Sequence, residues 1–305
     1  MVTKVLTTEE IEQFQERGWV KVTQAFSREQ ALACQDFLWN KVEEAYAVKR
    51  DDPDSWIRSL IFHQVSYKGP EFDICNTQRM ADAIEDLVGE GRWREHVVYN
   101  GEDADYPTWG WWPVNFHMGR DKPWDVPMDG WHWDGQHFHH FVDSPDQGLL
   151  CLCLFSDIGS QAGGTLVAEG SHKVVAKFLV DYSEGIDLGQ GIQTLNAKHP
   201  WLAELTGLSP AATENQSRID RFMNQFTTDS DGFKLRVKEV TGEPGDVILC
   251  HPFLYHAPSQ NHSGKVRFLC NRTTPLFERM NLDRADEVNY SPLERSVRAA
   301  LGKVK

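Results

Sequence analysis

The chain has no apolar run approaching the ~20 residues needed to cross a bilayer. Its first residues, MVTKVLTTEEIEQF, hold no apolar signal core. A cytoplasmic protein without a membrane partner is the expectation. Positive charge is scarce, with Lys plus Arg numbering 31 against 45 Asp plus Glu, a formal net charge of −14. Such a surface repels a phosphate backbone, so no nucleic-acid partner is expected. The six cysteines (Cys34, Cys75, Cys151, Cys153, Cys250, Cys270) form no CxxC pair. A chain of this size needs no covalent staples, so reduced thiols are expected. No Walker A loop, Rossmann glycine fingerprint or HExxH helix occurs, nor any internal repeat or low-complexity tract. Core-forming material, by contrast, is plentiful: 40 % of the residues are apolar and 11 % aromatic, including eleven Trp. That composition rules out disorder.

Organisation follows from the hydrophobic period. Thr7-Thr8-Glu9-Glu10 has the capping-box form, and Ile11 and Phe14 follow at helical spacing, so a short helix starts there. Residues 19–22 alternate like a strand, and Ser27 opens a longer amphipathic helix through Leu32, Cys34, Phe37, Leu38, Val42 and Ala45. Another helix is expected over residues 77–87, where Met80, Ile84 and Leu87 share a face. From about residue 94 the pattern changes to short β-prone runs at 97–99, 111–116, 149–155, 166–167, 235–240, 247–250 and 266–271. Turn signals such as Ala162-Gly163-Gly164 and Glu243-Pro244-Gly245-Asp246 separate them. Many short strands without alternating helices predict an α+β chain with a mainly β, antiparallel core of the jelly-roll type. No linker marks a domain cut, so residues 1–305 are read as one domain. It comprises a helical part at about 1–93, a core at about 94–275 and a helical C-terminal tail. Residues 181–231, polar and weakly patterned, read as an insertion within that core, either a lid or a surface elaboration.

The densest chemistry lies in WHWDGQ, residues 131–136, followed by His137, His139 and His140. Along a strand edge, period-two geometry puts His132 and Asp134 on one face and Trp133 on the other. A second group is GDVILCHPFLYH, residues 245–256, which reads as Gly-Asp before a strand ending in His256, with Arg267 beyond it. Two histidines and one carboxylate on one face of an octahedral ion leave three open positions, the arrangement of non-haem Fe(II) oxygenases. An HxD triplet alone is weak, since a strand-edge His beside a surface Asp is the commoner occurrence. The ordered set of HxD, Gly-Gly-Thr turn, Gly-Asp, His and Arg is far more specific.

In that set the chain resembles the phytanoyl-CoA dioxygenase family of Fe(II)/2-oxoglutarate-dependent oxygenases. The matching stretches are TEEIEQFQERGWVKV, WHWDGQ, GGTLVAEGSHK and GDVILCHPFLYHAPSQNHSGKVRFLCN, spanning residues 6 to about 275. The resemblance implies a double-stranded β-helix, cupin-like, with flanking helices. It implies His132, Asp134 and His256 as Fe(II) ligands, and Arg267 as the clamp on the distal carboxylate of 2-oxoglutarate, with O2 as the oxidant and succinate and CO2 as products. Pro258 stands where the family often has a small hydroxyl residue, and Ser259 or Thr165 is the expected substitute. A guanidinium suits the clamp because it can give a carboxylate two parallel hydrogen bonds. Related halogenases replace the carboxylate at the Asp134 position by Gly or Ala, so Asp134 points to hydroxylation or another two-electron oxidation.

Asn115, His117 and Met118, with Trp133, Gln136, Trp111 and Trp112, are the candidate lining of a substrate pocket, although so many tryptophans serve core packing equally well. His137, His139, His140 and His251 are read as hydrogen-bonded residues rather than ligands. Cys151 and Cys153 alternate with leucines as strand filler. The expected substrate is a small-molecule metabolite or natural-product intermediate. Two other readings fit the same residues: a non-enzymatic jelly-roll binding protein, and an iron dioxygenase that does not use 2-oxoglutarate, for which Arg267 is structural.

Overall fold

Short-range capping chemistry sets the first elements. Thr7 opens α1 (Thr8–Arg17): the Glu10 N–H donates to Thr7 Oγ1 while the Thr7 N–H donates to Glu10 Oε2. The helix ends at Gly18 in the left-handed region, and β1 (Trp19–Val22) follows at once. Ser27 and Gln30 form a second reciprocal cap for α2 (Arg28–Tyr46), which buries Ala31, Cys34, Leu38, Trp39 and Val42. These are the helix, strand and helix expected from the first fifty residues. Described residues are 3–95, 109–210 and 216–303 of the computed structural model. The strand expected at 97–99 lies outside them.

After α2 come β2 (Leu60–His63), α3 (Pro70–Asp73), α4 (Gln78–Val88), β3 (Trp112–Asn115), β4 (Leu150–Leu154) and β5 (Thr165–Glu169). A helical stretch follows, with α5 (Ser171–Leu179), α6 (Leu188–Lys198), α7 (Pro200–Leu205) and α8 (Arg218–Phe222). The chain then returns to β6 (Thr227–Thr228), β7 (Lys234–Glu239), β8 (Val247–Cys250), β9 (His256–Pro258) and β10 (Leu269–Thr273), and closes with α9 (Pro292–Ala300). The chain is thus mixed α and β, with antiparallel pairing throughout the described strands. One four-stranded sheet has the order β1-β8-β4-β10, another β6-β7-β5-β9, and β2 pairs with β3.

Two expectations change. Residues 181–231, read as weakly patterned, contain α6, α7 and α8, and their order comes from tertiary contacts. Asn196 accepts from the Tyr255 hydroxyl at 3.0 Å, and Arg221 grips Glu204 through Nε at 2.9 Å and Nη2 at 2.7 Å. His256 does not end a strand: β8 stops at Cys250, the chain turns, and His256 opens β9 in the other sheet. β4 is buried along its whole length, with Leu150, Leu152 and Leu154 on one face and Cys151 and Cys153 on the other. All six cysteines are buried and free. Among the described residues no helix is long and apolar enough to span a membrane.

Candidate metal centre

His132 sits outside a regular strand yet is tied to one. Its N–H donates to the His256 carbonyl at 3.0 Å, and the His256 N–H returns a bond to the His132 carbonyl at 2.8 Å. This isolated antiparallel bridge puts the two rings side by side, 4.3 Å between centroids. Period-two geometry holds locally, because Trp133 points away, fully buried against Tyr255, while His132 and Asp134 line a cavity. Gly135, at φ +120°, turns the chain directly after Asp134; a Cβ there would lie 2.6 Å from the His140 ring. His140 then closes the loop, accepting from Trp133 Nε1 at 3.1 Å and donating from Nε2 to the Gly135 carbonyl at 2.8 Å.

The ligand atoms converge. Each histidine donates Nδ1–H to a carbonyl two residues earlier, His132 to Gly130 at 2.7 Å and His256 to Leu254 at 3.1 Å. That orients both rings and leaves both Nε2 atoms facing Asp134 Oδ1, at 3.3 Å from His132 and 3.7 Å from His256. Burial works against the His132 proton, but the hydrogen bond to the carboxylate and its charge favour it and raise His132 above its ordinary value. One donor atom from each of the three residues lies within 4.8 Å of the others. Burial opposes ionisation of Asp134, but the His256 and His132 charges and the His132 hydrogen bond outweigh it and pull the carboxyl down to about 2. Burial, then the neighbouring His132 charge, lowers His256 to about 4, which leaves its Nε2 an unprotonated donor at neutral pH.

Arg267 is 3 % exposed and lines the same cavity. Its backbone is pinned by a mutual pair of bonds with Asn115, at 2.8 and 3.0 Å, but Nε and Nη1 of the guanidinium find no partner among the described residues. Burial pushes this group down to about 9, a measure of how poorly the charge is solvated. The cavity has a volume of about 710 Å³, and Thr165, Gln136 and Trp111 also line it.

Other residues expected here stand behind the cavity wall instead. Asn115 donates Nδ2–H to the Ser259 carbonyl and accepts from the Met118 N–H, which binds β3 to the chain after β9. His117 bonds the Trp56 carbonyl at 2.7 Å, and Ser259 Oγ donates to the Gly164 carbonyl at 2.6 Å. Asn115, His117, Met118, Trp133 and Ser259 are absent from the cavity lining, and the side chains of Asn115, His117 and Ser259 join segments distant in the chain. Trp112 is likewise fully buried in the core. His139 is surface-exposed beside Asp187, and His251 is buried against His172. His140 is hydrogen-bonded as expected, and its place as the clasp of the metal loop, like that of Gln147 in the cavity wall, was not read from the sequence. For His140 the crowded HFHH run was a signal; for Gln147 there was none.

No family model matches the chain, and no curated protein matches its sequence. Among solved structures, the non-heme alpha ketoglutarate dependent carbocyclase SnoK from nogalamycin biosynthesis aligns with a TM-score of 0.52 at 15 % identity. The alignment covers 100 % of this chain and 94 % of that one. The chain shares the SnoK fold. HygX from Streptomyces hygroscopicus, with nickel and 2-oxoglutarate bound, aligns at TM-score 0.47 and 13 % identity over 89 % of this chain and 88 % of that one. EctD from S. alaskensis in its apoform aligns at 0.45 and 15 % over 90 % and 79 %. Those two likenesses are too distant to carry weight.

Proposed function

We propose that the chain is a 2-oxoglutarate-dependent non-haem iron oxygenase of the phytanoyl-CoA dioxygenase kind. In this reading it is one domain built on a double-stranded β-helix. It oxidises, by hydroxylation or a related two-electron step, a C–H bond of a small-molecule metabolite or natural-product intermediate. One observation carries the reading: two histidine nitrogens and a carboxylate meet in a cavity that also holds a buried guanidinium with no acidic partner.

The residues fit the group. His256 Nε2 is buried without a hydrogen-bond partner among the described residues, and the Nδ1 atoms of both histidines are already committed to carbonyls, so the two Nε2 atoms are left to serve a cation. His132, Asp134 and His256 would hold Fe(II), and Arg267 would hold the distal carboxylate of 2-oxoglutarate. When bound, iron and 2-oxoglutarate supply, with O2, the oxidising equivalent for C–H cleavage and release succinate and CO2. The chain's own residues do the rest. The Gly130 and Leu254 carbonyls aim the imidazoles, and His140 holds the loop that presents Asp134. Arg267 exchanges an unfavourable buried charge for a paired one when a dicarboxylate enters. The cavity walls hold the target bond in position.

Anaerobic titration with Fe(II) and 2-oxoglutarate is the test. A weak visible metal-to-ligand charge-transfer band is expected in the native protein and its loss in His256→Ala, and Asp134→Ala is expected to abolish succinate formation. Iron bound at one equivalent without the band would overturn the 2-oxoglutarate reading.

A further inference from the structure

At the end of the cavity remote from Arg267 stands a side-chain amide with nothing to bind. Gln147 is 3 % exposed and lines the cavity, yet neither its Nε2 nor its Oε1 has a hydrogen-bond partner among the described residues. Backbone bonds fix its place: the Gly148 N–H donates to the Thr274 carbonyl at 2.9 Å and the Leu276 N–H to the Pro145 carbonyl at 2.7 Å. The Gln147 loop thus lies against the C-terminal end of β10, whereas Arg267 precedes its N-terminal end. Extended chain from residue 267 to 274 covers about 23 Å at ~3.3 Å per residue. A five-carbon diacid seated on Arg267 ends far short of Gln147, so the amide is left for another ligand.

The chemistry of that ligand follows from the amide itself. An unpaired buried carboxamide destabilises the folded state, so its retention in a cavity wall beside Pro145, Pro275, Leu276 and Phe277 points to a partner that arrives from outside. Either way the amide is turned, one end must donate and the other accept. The complement is an N–H and a C=O side by side on the same edge, as in a primary carboxamide or a lactam. An ester or a carboxylate can only accept, and so leaves the amide oxygen orphaned. Arg94 and Asp146 both line this end, so the local charge does not select an ion. Between the two ends Asn271, on the β10 face shared with Leu269, offers a buried Oδ1 that also lacks a donor. Nearer the mouth, Phe62 stacks on Trp111 at 5.6 Å and 26° and stays half exposed, a flat apolar shelf.

We propose that Gln147 is a specificity-determining residue that receives the carboxamide or lactam edge of the substrate. The substrate class is accordingly a neutral amide-bearing small molecule with a flat apolar body. This deepens the oxygenase reading and rests on it only for calling the cavity the substrate site.

Binding alone tests it. Calorimetric titration of the full chain with 2-naphthamide, methyl 2-naphthoate and 2-naphthoate is expected to favour the amide by about tenfold, the value of one well-made hydrogen bond. Gln147→Leu is expected to bring the three probes within about twofold while the charge-transfer band with Fe(II) and 2-oxoglutarate is unchanged. Equal or weaker binding of the amide by the native protein, or an amide preference that survives in Gln147→Leu, overturns the proposal. Should the leucine variant fail to fold, Gln147→Glu, which keeps an acceptor but loses the donor, decides it: undiminished amide preference there overturns it as well. An amide preference in a protein that never shows the band leaves this subsite standing and the oxygenase reading fallen. The band without the preference does the reverse.

Discussion

Two arginines of the same charge and nearly the same burial meet opposite fates in this chain. Arg298, 6 % exposed on α9, donates from Nη1 to the Leu282 carbonyl and the Tyr290 hydroxyl, and from Nη2 to Glu287 and the Lys303 carbonyl; only its Nε is left over. Arg267, 3 % exposed, has no side-chain hydrogen bond at all among the described residues. The histidines differ in what their rings face. His172 and His251 face each other at 4.8 Å between centroids, away from the cavity, and His172 Nδ1 and His251 Nε2 are left without a hydrogen-bond partner among the described residues. His251 accepts the Phe253 N–H on Nδ1 and so carries its proton on Nε2, whereas His172 donates from Nε2 to the Gln15 carbonyl and keeps a lone pair on Nδ1. His132 and His256 instead turn their two Nε2 atoms toward one carboxylate at the cavity. A buried polar group that the fold answers is architecture, and one that it leaves unanswered beside a cavity is a binding site.

The sharpest way to break this contrast is to remove each arginine. Arg267→Leu is expected to weaken 2-oxoglutarate binding by about 100-fold, the loss of two charge-assisted bonds, with the urea midpoint unchanged or raised because an unpaired buried charge is gone. Arg298→Leu is expected to leave 2-oxoglutarate affinity alone and to lower stability by about 2–3 kcal/mol, since it strips buried acceptors of their donor. Titration of the charge-transfer band and urea denaturation read the two effects, and interchanged outcomes would refute the distinction.

The second histidine pair sharpens it through pH. Burial, reinforced by the Lys173 charge, holds His172 down at about 3 and His251 well below its ordinary value; Lys173 itself is paired with Glu16 at 2.7 Å. In the unfolded chain each takes up a proton near 6.5. The unfolded state therefore binds more protons as pH falls, and this contribution to stability is complete above about 6.5 and lost from there toward 3. The unfolding free energy read from urea titrations should drop between pH 6.5 and 4.5, by up to about 1.4 kcal/mol per pH unit per histidine. The drop should be shallower in His172→Gln; an identical slope in that variant would contradict the assignment. The smallest effect lies far from both pairs: Ser27→Ala, which opens the α2 capping box, is expected to cost about 1 kcal/mol of stability, measured in urea, without changing cofactor binding.

The sequence by itself determined what is written in neighbouring residues. Thr7 with Glu10 and Ser27 with Gln30 announce helix starts because a cap is satisfied within one turn. His132 and Asp134 share a face because alternate residues of extended chain do so. Only the tertiary structure decided the rest. Asn115, His117 and Ser259 carry the polar groups of a binding site, but pairing between β3, β9 and their flanking loops turned those groups to join distant segments. Helices α6 to α8 owe their order to contacts such as Tyr255 with Asn196. Gln147 reads as an ordinary loop residue, and its isolation in the cavity wall arises where the 145–148 loop meets residues 274–276. Periodicity and capping are set by residues a few positions apart, whereas the partner that a side chain finds is set by strand register and long-range packing, which no local pattern encodes.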